Sequence, residues 1–165
     1  MSEITITFLI ISLSILFFII VITGLSKNQI RVANKLIKSL DFTQYRKVNI
    51  KFQQTTSSKG KITTGMYTSC YLFYNTSTLI IAPKEKSYFN IIFSKLPIII
   101  TIKTQNIFKP YRTILPENIK FSNAKLLLVE YTKQKFLTVN YSLSIKFEEN
   151  ENTDKIKELI QKLKL

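Results

Sequence analysis

From Ile4 to Leu25 the chain is an unbroken run of apolar and small hydroxyl residues, with no charge and no proline. As a helix rising about 1.5 Å per residue, it is long enough to cross a hydrocarbon core of about 30 Å, so the run predicts a transmembrane helix. Its many β-branched residues, among them Ile10, Ile11, Ile19, Ile20 and Val21, do not argue for a strand. A lone strand in lipid leaves its backbone polar groups without partners. A helical period follows the run. Ile30, Ala33, Leu36, Ile37 and Leu40 recur three and four residues apart and predict an amphipathic helix over residues 28–40.

From Val48 the period shortens to two. Val48, Ile50 and Phe52 alternate with Asn49, Lys51 and Gln53, the pattern of a half-buried strand, and the polar run 53–60 predicts a hairpin loop. Residues 61–74, rich in Thr, Tyr and Phe, predict a second strand. Asn75-Thr76-Ser77 supplies a turn, and residues 78–82 form a short strand stopped by Pro83. Further strands are expected at 88–93 and 98–103, with Pro97 at the start of the second and Pro110 and Pro116 in an irregular connection. The longest alternation comes late, with Leu137, Val139, Tyr141, Leu143, Ile145 and Phe147 on one face. Its expected partner is 125–131, folded back through 132–135. After the acidic linker 148–152, Thr153 is placed to cap a last helix, with Asp154 in the first turn and Lys162 and Lys164 near the end. Ile156, Leu159, Ile160 and Leu163 form its apolar stripe.

The expected class is α+β, in three parts: a transmembrane anchor (1–26), a basic amphipathic juxtamembrane helix (27–43) and a β domain with a C-terminal helix (44–165). Over roughly residues 45–165, about seven strands followed by one amphipathic helix resemble the pleckstrin-homology (PH) superfold, including its GRAM-like and bacterial PH-like members. The segment Tyr71-Leu72-Phe73-Tyr74-Asn75-Thr76-Ser77-Thr78-Leu79-Ile80-Ile81 is similar to the strand-turn-strand of the bacterial domains. The resemblance implies a bent antiparallel barrel plugged at one end by the last helix. It also implies a lipid-headgroup site at Lys51, Lys59 and Lys61, around the first loop, with Lys61 standing where the family commonly has Arg.

Charge gives the anchor a direction. The chain has 24 Lys and Arg against 10 Asp and Glu, a formal net charge of +14. Lys27, Arg31, Lys35 and Lys38 follow the apolar run before the first acid after it, Asp41, and no Lys or Arg precedes it. The asymmetry places the C-terminal part on the cytoplasmic side, with those four residues as juxtamembrane contacts to anionic headgroups. A cleavable signal peptide would open on a basic segment, whereas this chain opens Met1-Ser2-Glu3. If the run were such a peptide, the domain would be an extracytoplasmic envelope protein.

The residues also narrow the chemistry. The chain has no histidine and one cysteine, Cys70, which excludes His-containing zinc sites, Ser-His-Asp and Cys-His catalysis and an internal disulfide. With three glycines and no phosphate-binding loop, a nucleotide cradle is not expected, nor is any metal or cofactor. The expected function is therefore that of a single-pass, non-enzymatic interaction or scaffold module at the membrane, meeting a protein partner or anionic lipid. A membrane-tethered nucleic-acid-binding domain is the alternative, with Tyr45-Arg46-Lys47 and Lys109-Pro110-Tyr111-Arg112 as interleaved aromatic and basic residues.

Overall fold

The computed structural model describes residues 3–41, 43–84, 96–101, 112–134, 137–149, 151 and 153–163. The expected strand at 88–93, the end of that at 98–103, and the Lys109–Arg112 cluster apart from the backbone of Arg112 lie outside them. A single helix, α1 (Glu3–Ser39), takes in both the apolar run and the amphipathic segment without a break. At 1.5 Å per residue it is about 55 Å long. The hydroxyls of Ser14, Thr23 and Ser26 donate back to the carbonyls of Ile10, Ile19 and Ile22, so these polar groups are satisfied inside the helix. The large apolar side chains from Ile4 to Leu25 are nearly all exposed, whereas Ser26, Ala33, Leu36 and Leu40 are buried. The helix stops at an Asx turn. The Asp41 carboxylate accepts from the Thr43 amide, the Thr43 hydroxyl and the Gln44 side chain, and the chain turns into the first strand.

Nine strands form one sheet: β1 (Arg46–Ser58), β2 (Lys61–Thr64), β3 (Thr68–Tyr74), β4 (Thr78–Pro83), β5 (Ile98–Thr101), β6 (Arg112–Ile114), β7 (Asn118–Asn123), β8 (Leu126–Gln134) and β9 (Thr138–Phe147). The order is β6-β5-β4-β3-β1-β9-β8-β7, with β2 paired to β1 off this path. The long β1 belongs to both halves: its first seven residues pair with β3, and residues 50–57 pair with β9. The sheet curls into a half-barrel around Ile50, Phe52, Leu72, Ile81, Ile98, Leu127, Val129, Leu143 and Ile145. The last helix, α2 (Asp154–Leu163), adds Ile156, Leu159 and Ile160 to that core. Asp154 lies in its first turn, as the helix dipole favours.

A second, smaller core lies on the outer face. Leu36 and Leu40 of α1 pack on Phe73, Ile80, Ala82 and Ile99, with Ile37, Tyr45 and Tyr71 at the margin. This explains why β4 and β5 are buried at every position instead of alternating: α1 covers one face and the half-barrel interior the other. The amphipathic segment therefore packs on the domain, as an integral layer of the fold.

Three hydrogen-bonded links hold α2 and its linker against the sheet. Lys125 donates its Nζ to the carbonyls of Glu149 and Glu151, at 2.9 and 2.6 Å. The Glu151 carboxylate accepts the Asn49 amide at 3.0 Å, a strand donor just beyond the reach of β9. Thr153 occupies the expected position before the helix, but its hydroxyl donates to the Ala124 carbonyl, and its own carbonyl accepts the Lys157 amide.

The architecture departs from the expected barrel in count and closure. Among the described residues it has nine strands where about seven were expected for the whole domain, it is a half-barrel, and β5 and β6 run parallel. The stretch expected to be one strand over 61–74 is two, separated at 65–67. The expected loop at 53–60 is mostly strand. β1 continues to Ser58, and only Lys59 and Gly60 form the turn, at φ 48° and 75°. Two successive positive φ angles match the twist of a tight hairpin, and glycine takes such an angle without strain.

Candidate membrane-proximal basic surface

The packing of α1 decides where its cations point. With Leu36 and Leu40 turned onto the sheet, Lys27, Arg31, Lys35 and Lys38 fall on the opposite side and line an open groove with Ile30 and Asn34. Among the described residues none of them is in an ion pair, and the ion pair there is Lys157 with Asp154, on α2. Along a straight helix Arg31 lies about 6 Å beyond Lys27, Lys35 about 12 Å and Lys38 about 16 Å. The Debye length in physiological salt is about 8 Å. Lys27 and Arg31 therefore lie within reach of charge at the end of the apolar run, and Lys35 and Lys38 lie deeper.

The three lysines around the first loop do not form one cluster. Lys59 forms the hairpin turn with Gly60 and Lys61 follows it, where Ile62 is 72% exposed and Ser58 donates to the Thr138 carbonyl of the neighbouring strand. Lys59 holds its positive φ without the ease of Asn or Gly. Lys51 lies seven residues before the end of β1, about 23 Å along the strand.

Lys51 instead belongs to a basic row on the outer face that sequence reasoning missed. Register sets it directly opposite Lys146 of β9 on one side and Ser69 of β3 on the other. The amide of Lys84, just past β4, donates to the Ser69 carbonyl, which puts Lys84 in the same row. Next to the row, the Tyr71 ring meets two cations: Lys47 Nζ 3.7 Å and Lys84 Nζ 5.1 Å from its centroid. Such contacts are worth about 0.5–1 kcal/mol each at exposed sites. A cross-strand partner cannot be read from local pattern, so only the alternation that puts Lys51 and Lys146 outward was available in the sequence.

The groups closest to catalytic types are committed elsewhere. Cys70 is fully buried in the main core, and burial pushes its thiol up to about 12, an effect that the charge of Lys84 only partly offsets. Glu117 and Glu130 line one groove on the outer face, a pairing not foreseen from the sequence. Glu117 accepts from the amide and hydroxyl of Thr132, and Glu130 accepts from the Asn118 side chain. Near α2, a recess of about 320 Å³ lies between Arg46, Asn75, Lys155 and Glu158. No family model, curated protein or solved structure matches the chain.

Proposed function

We propose that the chain is a single-pass membrane protein whose C-terminal domain stands on the cytoplasmic side as a non-enzymatic, PH-like interaction module. The observation that carries this reading is the continuity of α1, exposed and apolar in its first part and packed on the sheet in its second. Cleavage of the apolar run as a signal peptide would cut an unbroken helix just before Ser26, which is itself buried, with Ala33, Leu36 and Leu40 buried further along the same helix. The cationic stripe beginning at Lys27 supports the cytoplasmic side, and Lys27 and Arg31, worth about 1 kcal/mol each near an anionic leaflet, support contact with headgroups.

The long β1 shared by both halves and the helix α2 against the core support the PH-like reading. A binding role is favoured over catalysis by the burial of Cys70 and by the hydrogen bonds that occupy Glu117 and Glu130. The test is protease protection of a C-terminal tag in intact and opened cells, with the membrane fraction probed for the intact N-terminal segment. The expected result is a tag shielded until the membrane is opened, on a chain that keeps its apolar run. Digestion from outside refutes the orientation, and loss of the run refutes the anchor.

A further inference from the structure

We infer that the row Lys84-Ser69-Lys51-Lys146, with Lys47 beside it, is the docking surface for an acidic, carboxylate-rich segment of a partner protein. The inference rests on the module proposed above and names the partner chemistry it would take. Four ammonium groups are gathered on one outer face by strand register, two of them directly opposed, which is unfavourable in the free protein. Among the described residues no carboxylate forms an ion pair with any of them. The nearby Glu151 is engaged by the Asn49 amide, and Glu148, just past the end of β9, is exposed. A bound polyanion relieves this repulsion, and charge complementarity of this kind selects partners more than it adds raw affinity.

One other polyanion fits less well. Single-stranded nucleic acid is held by phosphate contacts together with base stacking on accessible aromatic faces. The aromatic ring in this patch, Tyr71, is half-buried, meets Phe73 edge-on and carries the Lys47 ammonium over its face.

The experiment uses the full chain in phosphatidylcholine nanodiscs, titrated with a fluorescent Glu-Ser repeat peptide, a single-stranded oligonucleotide of equal charge, and phosphatidylglycerol vesicles. Two double variants carry the same change of charge: Lys51→Glu with Lys146→Glu on the row, and Lys59→Glu with Lys61→Glu at the hairpin turn. The expected result is at least about tenfold weaker peptide binding for the first and less than about twofold change for the second. Should the first variant fail to fold, Lys51→Gln with Lys146→Gln gives the same reading with a smaller loss. Equal losses in both variants, tighter binding of the oligonucleotide or the vesicles, or no binding of the peptide by the unaltered chain each overturn the inference. Co-elution with the discs is scored separately. A chain that inserts but ignores the peptide refutes only the acidic partner, and a chain that does not insert refutes the anchored module.

Discussion

Replacing Leu36 by alanine tests whether α1 is part of the domain or merely attached to it. Leu36 is 1% exposed and sits among Phe73, Ile80 and Ile99. Truncating a buried leucine removes its transfer free energy and leaves a cavity, at a cost of about 2–5 kcal/mol. Alanine favours the helix by only a few tenths, so the net expectation is about 3 kcal/mol. Arg31→Ala, on the opposite side of the same helix, should stay within about 0.5 kcal/mol. Removing residues 1–44 altogether bares Phe73, Ile80 and Ile99, at an upper figure of about 5–9 kcal/mol for three large apolar side chains. That rivals the whole stability of an ordinary domain, about 5–15 kcal/mol, so the isolated fragment 45–165 should be unfolded or aggregated. The assay is urea unfolding of the full chain in nanodiscs, followed by pulse proteolysis, with the slope checked for constancy. If Leu36→Ala costs under about 0.5 kcal/mol and the fragment is as stable as the full chain, α1 does not cover the sheet. The origin assigned to the two-sided burial of β4 and β5 would then be wrong.

Other groups give independent checks. Cys70 should resist alkylation at pH 8 in the folded protein and react fully in denaturant. Its folded-state value of about 12 lies above the ordinary 9.0, so its contribution is complete below pH 9 and is lost as pH rises towards 12. By pH 10 the loss is about 1.4 kcal/mol, and Cys70→Ala should flatten the pH 8–10 stability profile by that amount. Glu151→Ala removes a charged acceptor from the Asn49 amide and should cost about 2 kcal/mol in urea unfolding. A double-mutant cycle with Lys125→Met, which also holds the linker, should show coupling of at least about 0.5 kcal/mol. Lys146→Glu turns the opposed pair with Lys51 into an attractive one and should raise stability by about 0.5 kcal/mol at low salt, with the gain fading at high salt.

Much of the fold was legible where one face of an element is wet. The alternation up to Phe147 marked β9 because Tyr141, Leu143, Ile145 and Phe147 face the core, although Leu137, expected on the same face, lies before the strand and is half exposed. The stripe Ile156, Leu159 and Ile160 marked α2 for the same reason. Legibility ended where polarity and backbone pairing separate. Gln53 to Ser58 looked like a loop because both faces are polar, yet their amides and carbonyls complete ladders with β9 and β2. The short β6 carried no pattern of its own, being three residues that run alongside β5. For the candidate surface, helical spacing alone placed Lys27, Arg31, Lys35 and Lys38 on one side of α1. The opposition of Lys51 and Lys146 depends on the meeting of two strands far apart in the chain, which no local window contains.

The unbroken α1 also fixes an azimuth. Each residue turns a helix by about 100°, and no hinge separates the last exposed apolar residue, Leu25, from the first buried one, Ser26. The compass bearing of every side chain in the apolar run is thus locked to the bearing of the sheet. One residue inserted between Leu25 and Ser26 would rotate the whole run by about 100° and lift it by about 1.5 Å, with every contact of Leu36 and Leu40 left in place. If the run spans a bilayer as proposed, a twist or piston stroke imposed on it there would arrive at β4 with its phase intact.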